Sequence, residues 1–254
     1  ETRLRHAWDA WGGEWATTGG FVVYASDSPR SRRRGAEPKA TTGPTRFELD
    51  RRTTYGALFA EQLVKLGRLS VVPAFRLELI GMKVQEISNV EVTRPLVTDS
   101  YTSAVPLGAL GLAYDLDDAN ELYANVSQGY RPKEYDDLVN PTSSGQRAPS
   151  DLDESRAWTH EFGVRGTPVP WWVYDTSYFL IDYDNFIETR DLGGGNSERS
   201  NSGRAIYQGW ELANELDLIG LYDAVAHTEH GTRWGRLSLY SNLSVLGAEF
   251  VGGL

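Results

Sequence analysis

The sequence has no cysteine, so neither a disulfide framework nor a thiol site can form. It has no apolar run near the roughly 20 residues that a membrane-spanning helix needs. Basic residues are fewer than acidic ones: the chain has 25 Lys and Arg against 35 Asp and Glu, and its net charge is −10. Binding to nucleic-acid phosphates needs a basic surface, so this balance argues against a general nucleic-acid-binding protein.

The two ends of the chain predict an internal fragment of a longer protein. Residues 1–20 hold no apolar core of the signal-peptide type, the chain starts without Met, and it stops within the apparent strand AEFVGGL. The missing signal therefore says nothing about where the intact protein lies.

Patterns for catalysis and metal binding are scarce. His227 and His230 form H-x-x-H, but residues three apart on a strand face opposite sides, and in a turn the pair is more simply solvated. The acid pairs at 117–118 and 136–137 are typical of solvated loops rather than of the two spaced carboxylates of a glycoside hydrolase. GGG at 193–195 precedes Asn-Ser, which does not fit a phosphate loop. We predict no catalytic residue, no metal ligand, no cofactor and no enzymatic activity.

What the chain does contain is period-2 alternation between turn residues, in a composition with 26 Gly, 13 Tyr and 8 Trp. Several alternating segments exceed the usual ~5–6 residues of a globular strand. Lengths of about ten or more suit tilted strands that cross a bilayer. The predicted strands cover 2–10, 15–26, 53–65, 69–86, 105–116, 121–131, 157–167, 172–187, 205–217 and 235–246.

The connections alternate between short and long. The short ones are 11–14, 66–69, 115–120 and 167–171, and the long ones are 27–52, 87–104, 132–156 and 188–204. The ninth connection, 218–234, is longer than its class. An up-and-down barrel in an outer membrane sorts its connections in this way, with short periplasmic turns and long extracellular loops.

The faces of the strands fit the same fold. In 205–217, Trp210 and Leu212 share an apolar face, while Glu211 and Glu215 lie on the other. In 172–187, Phe179, Ile181 and Tyr183 share a face with Asp175, which we place near the lower interface. Tryptophans at strand ends predict interfacial girdles; they are Trp8, Trp11, Trp15, Trp158, Trp171, Trp172 and Trp234.

Four segments, in order, resemble motifs of the TonB-dependent outer-membrane receptors. LYANVSQGYRPKEYDDL (122–138) resembles a strand followed by S-x-G-[FY]-[RK]-P, through Tyr123, Asn125, Ser127, Gly129, Tyr130, Arg131 and Pro132. DLDESRAWTHEFGVRGTPV (151–169) resembles L-x-P-E-x-x-x-x-x-E-x-G-x-[RK], through Glu154, Trp158, Glu161, Gly163 and Arg165. Asp153 stands where that family usually has Pro.

The other two segments lie in the next hairpin. YDTSYFLIDYDNFIE (174–188) is similar to the family's A-x-[FY]-x-I-D-[YF]-x-[ND]-x-I strand, through Phe179, Ile181, Asp182, Tyr183, Asn185 and Ile187. NSGRAIYQGWELANEL (201–216) resembles N-x-G-x-x-x-x-x-G-[FVL]-E-L, through Asn201, Gly203, Gly209, Glu211 and Leu212. The ending SNLSVLGAEFVGG reads most like the ferric-dicitrate branch.

The resemblance implies an all-β, antiparallel, up-and-down transmembrane barrel of which residues 1–254 form about ten strands. We expect the plug domain with its TonB box and the closing C-terminal strands to lie outside this sequence, so that both edges of the sheet are open. The family implies import of iron–siderophore or ferric-citrate-like chelates, with iron carried only as the ligand's metal. The expected partners are outer-membrane lipid, lipopolysaccharide and TonB, and the expected location is the outer membrane of a Gram-negative bacterium.

Two questions stay open at the level of sequence. Arg30, Arg32, Arg33, Arg34 and Arg131 are the candidate contacts to an anionic chelate, because Arg offers bidentate contact to carboxylates. The run at 30–34 could equally contact lipopolysaccharide phosphates or form a solvated loop. The alternative to a transporter is a soluble all-β domain that binds or cleaves glycans.

Overall fold

The computed structural model describes residues 1–139, 152–193 and 196–251. Strands dominate this part of the chain, with three short helices in the connections. The elements are β1 (Thr2–Ala10), β2 (Gly13–Asp27), β3 (Arg30–Arg33), β4 (Thr45–Leu66), β5 (Leu69–Asn89), β6 (Thr98–Asp115), β7 (Asn120–Arg131), α1 (Tyr135–Leu138), β8 (Ser155–Val169), β9 (Trp172–Gly193), β10 (Asn196–Asp217), α2 (Leu218–Ala226), α3 (Gly231–Trp234) and β11 (Ser238–Phe250).

The strands form one 11-stranded antiparallel sheet in which chain neighbours pair. The order is β1-β2-β4-β5-β6-β7-β8-β9-β10-β11, and β3 pairs with β4 beside this path. β1 pairs only with β2 and β11 only with β10, so both edges of the sheet are open in the described residues. The up-and-down order and the open edges confirm the prediction of a partial barrel wall.

All ten predicted strands are present, but the prediction ended several of them too early. The segment 188–204 was predicted to be a long loop, and that prediction is wrong for its described part, where β9 and β10 continue as a paired hairpin. β3 was also missed. At roughly 3.3 Å per residue, a 22-residue strand is about 70 Å long, more than a hydrocarbon layer of about 30 Å requires. Strand ends outside lipid need backbone pairing but no apolar face, so their sequence resembles that of a loop.

Two other predicted connections contain helices. Residues 218–234 hold α2 and α3, and the loop predicted at 132–156 contains α1. Residues 140–151 of that loop lie outside the described residues. No helix in the described part of the chain is long and apolar enough to cross a membrane.

One face of the sheet, which we call the outer face, exposes a broad apolar band. Pairing puts Phe21 opposite Leu58, Phe162 opposite Tyr178, and Leu212 opposite Leu243. These side chains are exposed although they are large and apolar; Leu58 is 56% and Phe162 54% exposed. A contiguous apolar surface of this kind is stable only against another apolar phase.

The opposite, inner face carries both polar and apolar side chains, and segment 132–139 lies against part of it. Leu138 and Val139 pack there against Ile80, Val84 and Tyr101, all of them buried. Strand pairing places Asp175, Phe179 and Ile181 on the inner face, together with Glu161. Asp175 therefore faces the interior, where it accepts a hydrogen bond from Tyr123, and it lies three residues after the start of β9 at the short turn.

At the short-turn end of β1 and β2, three of the tryptophans predicted to form a girdle lie together. Trp8 stacks on Trp15 with ring centroids 6.3 Å apart, and Trp11 meets Trp15 edge-on at 5.1 Å. Trp234 was predicted to belong to a girdle at a strand end, but it lies in α3. Residues 231–234 form a single helical turn, and the alternating pattern used to find strands does not detect such a turn.

Candidate functional site

A short inward-folded segment, residues 132–139, forms one wall of the candidate site. Pro132 follows the last residue of β7 and cannot donate to a strand ladder, so pairing ends there. The buried carboxylate of Asp137 then accepts a hydrogen bond from the Glu134 backbone N–H at 2.8 Å. These contacts fix the start of α1.

Asp137 also joins the segment to two strands. Its carboxylate lies 3.2 Å from Arg131 Nη2 at the end of β7 and 3.5 Å from Arg199 Nε on β10. Asp137 is only 3% exposed, so two guanidinium groups compensate a carboxylate that water hardly reaches. The sequence suggested a solvated acid at this position, and that interpretation is wrong.

Beneath the segment lies a cavity of about 530 Å³, which we call the inner-face cavity. Four tyrosines contribute to its lining, together with cationic, acidic and apolar side chains. The tyrosines are Tyr24, Tyr55, Tyr130 and Tyr135, and the cations are Arg51 and Lys133.

A polar network holds the hydroxyls of Tyr55 and Tyr130, so the faces of their rings can contact a ligand. Tyr130 donates a hydrogen bond to Glu78, and Glu78 also accepts from Arg76. Arg76 Nη2 donates to the Tyr55 hydroxyl at 2.8 Å, and the Tyr24 ring centroid lies 5.0 Å from that of Tyr55. Such a wall offers stacking surface and fixed dipoles to a ligand.

The cationic side of the cavity is formed mainly by Arg51. Its guanidinium carbon lies 4.8 Å from the ring centroid of Tyr135, and its Nε donates to the Ser28 carbonyl at 2.8 Å. A cation next to aromatic walls suits a ligand that carries both negative charge and a planar or apolar surface.

The structure places the five predicted ligand arginines in three different surroundings. Arg30 and Arg131 are brought to segment 132–139, where Arg30 bonds to Asp136 at 2.9 Å and Arg131 lies 3.3 Å from Glu134. Arg32 pairs with Glu91 at 3.4 Å. Arg33 and Arg34 are exposed on the long connection between β2 and β4. Ligand contact by these residues stays a prediction.

Most of the motif residues make contacts between strands of the sheet. Tyr123 donates to Asp175 at 2.8 Å and lies 3.4 Å from Glu161, both across the inner face. A second recess of about 420 Å³ includes Tyr123, Glu161, Asp175 and Glu211. On the outer face, Asp182 forms an ion pair with Arg204. No group of three or more His, Asp or Glu residues within the described ranges is arranged to hold a metal ion.

Glu154, just before β8, anchors another link across the inner face. Tyr101 and Ser103 on β6 both donate hydrogen bonds to its carboxylate. Burial alone would raise the pKa of Glu154, but these hydroxyl donors stabilise the charged form, and the net result is a lowered pKa.

Sequence reasoning did not predict the inner-face cavity, although two of its lining residues, Tyr130 and Pro132, are motif positions. Arg51, Thr53 and Tyr55 alternate along β4 and so share a face, which the sequence shows. Tyr24, Glu78 and Tyr130 come from other strands, and only the pairing register brings them together.

Comparison with known proteins adds a family match over nearly the whole chain. The family model described as "TonB dependent receptor-like, beta-barrel" matches residues 1–250.

Several solved structures share the fold. The chain is 17% identical to the ferric citrate transporter FecA in its unliganded form, with a TM-score of 0.71, and the match covers 98% of this chain and 34% of that one. For the copper transporter OprC the identity is 15%, the TM-score 0.66 and the coverage 98% and 38%. For the alcaligin outer-membrane receptor FauA from Bordetella pertussis the identity is 13% and the TM-score 0.66, and the match covers 99% of this chain and 38% of that one. The chain thus spans little more than a third of the length of these structures.

Proposed function

Because the chain belongs to the TonB-dependent receptor β-barrel family and forms part of a Gram-negative outer-membrane barrel, we propose that the intact protein binds and imports a metal chelate. The chelate class we propose is an iron–siderophore or a ferric-citrate-like complex. The single observation that carries the proposal is the inner-face cavity, with four tyrosines and Arg51 under an inward-folded segment.

The chemistry of the cavity supports a chelate with negative charge. Arg51 and Lys133 supply positive charge, while Tyr24 and Tyr55 supply stacking surface. Arg33 and Arg34, exposed on the long connection after β2, would raise the local concentration of an anion before it reaches the cavity. Iron would enter as part of the ligand, and the protein would supply no resident cofactor and no catalysis.

The remaining parts of the intact protein belong to the proposal as well. We expect residues 1–254 to lie within the barrel domain, with a plug domain and further strands elsewhere in the protein. TonB would act through that plug, and lipopolysaccharide would contact the long loops.

The alternative of a soluble glycan-binding or glycan-cleaving domain loses its support. The family match covers residues 1–250, and large apolar side chains such as Phe21, Leu58 and Phe162 are exposed together on the outer face. A soluble domain would have no phase against which to place that face.

The test uses the intact protein in an outer membrane, with and without an active TonB system. Uptake of ⁵⁵Fe supplied as ferric citrate or as a panel of ferric siderophores would identify the ligand class. TonB-dependent uptake of one chelate supports transport. Uptake of none of them, by a protein that is folded in the membrane, would overturn the proposed chelate class.

The cavity has its own matched pair of variants. Arg51 lies in the inner-face cavity, whereas its neighbour Arg52 pairs with Asp27 at 2.6 Å on the outer side of the same strand. We expect Arg51→Ala to weaken chelate binding at least about tenfold, the effect of roughly 1.4 kcal/mol, while Arg52→Ala leaves it unchanged. Equal affinities for the two variants would place the site elsewhere.

A further inference from the structure

The connection 218–237, which we call the α2–α3 unit, is a folded structure at the short-turn end of β10 and β11. α2 starts where the Asp217 side chain accepts a hydrogen bond from the Ile219 backbone N–H at 3.2 Å. It ends at His227, whose φ of 55° closes the helix in the left-handed region. α3 follows at Gly231–Trp234.

Asp223, the single charged residue of α2, is turned towards α3. Its carboxylate accepts hydrogen bonds from Thr228 Oγ1 at 2.8 Å and from the Gly231 backbone N–H at 2.7 Å, and it lies 2.9 Å from His230 Nδ1. The rest of α2 reads Leu, Ile, Gly, Leu, Tyr, Ala, Val and Ala. The helix therefore presents no charge on its remaining surface.

One stripe of α2 is apolar and exposed. Successive residues turn by about 100° around a helix, so Leu218, Tyr222 and Val225 fall within about 60° of arc. Their exposed fractions are 38%, 56% and 73%. Trp234 in α3 is 63% exposed as well.

This stripe adjoins the outer face of the sheet. Leu212 pairs with Leu243 and Leu216 with Leu239, and the Leu218 backbone N–H continues the ladder to the Leu237 carbonyl at 2.8 Å. Because alternate residues of a strand share a face, Leu218 and Leu237 extend the column of apolar side chains that these leucines form on the outer face. The stripe therefore starts where the lipid-facing surface ends.

α2 also stays close to the neighbouring short turn. The Asp217 backbone N–H bonds to the Trp171 carbonyl at 2.8 Å. A Cβ added at Gly220 would lie 3.0 Å from Trp171 Cβ. α2 thus packs beside the turn that joins β8 to β9.

We propose that the α2–α3 unit is an interfacial anchor, seated in the phospholipid headgroup region of the leaflet at the short-turn end. Tyr222, Val225 and Trp234 enter the boundary between headgroups and acyl chains, as apolar and aromatic side chains do in interfacial helices. Its occupant is glycerophospholipid, because the stripe continues the lipid-facing surface and the single carboxylate of α2, Asp223, is turned towards α3. This inference depends on the outer-membrane location and not on the ligand.

The chain has no cysteine, so single labelling sites are simple to introduce. Val225→Cys places a nitroxide in the stripe, and Ala224→Cys places it about 100° away on the same helix. Both residues are exposed. The intact protein, with any cysteine outside these residues replaced, is reconstituted in phosphatidylethanolamine–phosphatidylglycerol vesicles and measured by power-saturation EPR.

We expect the Val225 label to collide more with oxygen than with a water-soluble nickel chelate, and the Ala224 label to show the reverse. Nickel access at both sites would overturn the proposal. Protection from both reagents at Val225 would also overturn it, because another polypeptide would then cover the stripe.

A second measurement needs no label. Phospholipids brominated near the headgroups should quench a smaller fraction of the fluorescence after Trp234→Phe than in the unsubstituted protein. An unchanged quenched fraction would count against lipid contact by α3.

Discussion

Arg30 Nη1 donates hydrogen bonds to both carboxylate oxygens of Asp136, at 2.9 and 3.1 Å. This ion pair ties the short strand β3 to the inward-folded segment 132–139, across more than a hundred residues of sequence. An arginine predicted to meet a ligand therefore holds one wall of the inner-face cavity in place.

We predict that Asp136→Asn loosens segment 132–139. The two side chains are 37% and 40% exposed, so the loss in the free energy of unfolding should be about 0.2–1 kcal/mol. Amide hydrogen exchange of 132–139 should become faster. Asp27→Asn, which breaks the Arg52–Asp27 pair on the outer side, should leave that exchange unchanged. The same exchange rate in both variants would mean that the ion pair does not hold the segment.

The two motif glycines Gly163 and Gly209 are predicted to resist enlargement. A Cβ at Gly163 would lie 2.7 Å from the Thr176 carbonyl oxygen and 2.5 Å from Tyr123 Cζ, and a Cβ at Gly209 would lie 2.3 Å from the Val245 carbonyl oxygen. Alanine at either position forces backbone to shift and should cost roughly 1–3 kcal/mol of stability. Urea unfolding of the barrel, followed by heat-modifiable gel mobility, measures this loss.

Gly129 provides the matched control for those variants. It is also a motif glycine, but a Cβ there meets no described atom within 4 Å beyond its two chain neighbours. Gly129→Ala should stay within about 0.5 kcal/mol of the unsubstituted protein. A loss at Gly129 as large as that at Gly163 would contradict the steric explanation.

We predict that the stabilising contribution of Glu154 decreases as the pH falls. Its folded-state pKa lies below the ordinary 4.5, because donors on Tyr101 and Ser103 outweigh the effect of burial. Its stabilising contribution is therefore fully present above pH 4.5 and is lost as the pH falls through the folded-state pKa. Glu154→Gln should lower the melting temperature at pH 7, and the difference should shrink in acid. A constant difference from pH 7 to pH 3 would show that the charge of Glu154 does not contribute.

Asp223 should hold the α2–α3 unit together. Burial would raise its pKa, but hydrogen bonds from Gly231, Thr228 and His230 lower it well below the ordinary value of 3.8. Asp223→Asn should speed hydrogen exchange across 218–237 at neutral pH. The difference from the unsubstituted protein should start to shrink only below pH 3.8, and it should vanish once the pH is below the folded-state pKa of Asp223. Asp118→Asn, an exposed acid in the turn between β6 and β7, serves as the control and should change nothing.

The alternation of polarity along the chain predicts much of the strand structure, but not all of it. Alternation found ten of the eleven strands, but it left out the long-loop ends of β9 and β10, because these ends carry polar residues on both faces. For 205–217 the assignment of faces was correct: Trp210 lies on the outer face and Glu211 on the inner face. In 172–187 both faces carry aromatic and apolar side chains, so alternation separated them without showing which one faces inward.

The sequence by itself determined the meander of long strands, the apolar outer column and the family, because period-2 alternation and turn residues are local properties of the chain. The tertiary structure decided which residues form the site. Tyr24, Arg51, Glu78 and Tyr135 meet only because the strand register and the inward fold of 132–139 superpose them. Likewise, Arg30 meets Asp136 and Asp137 meets Arg199 across different elements, and no spacing within a single segment encodes these contacts.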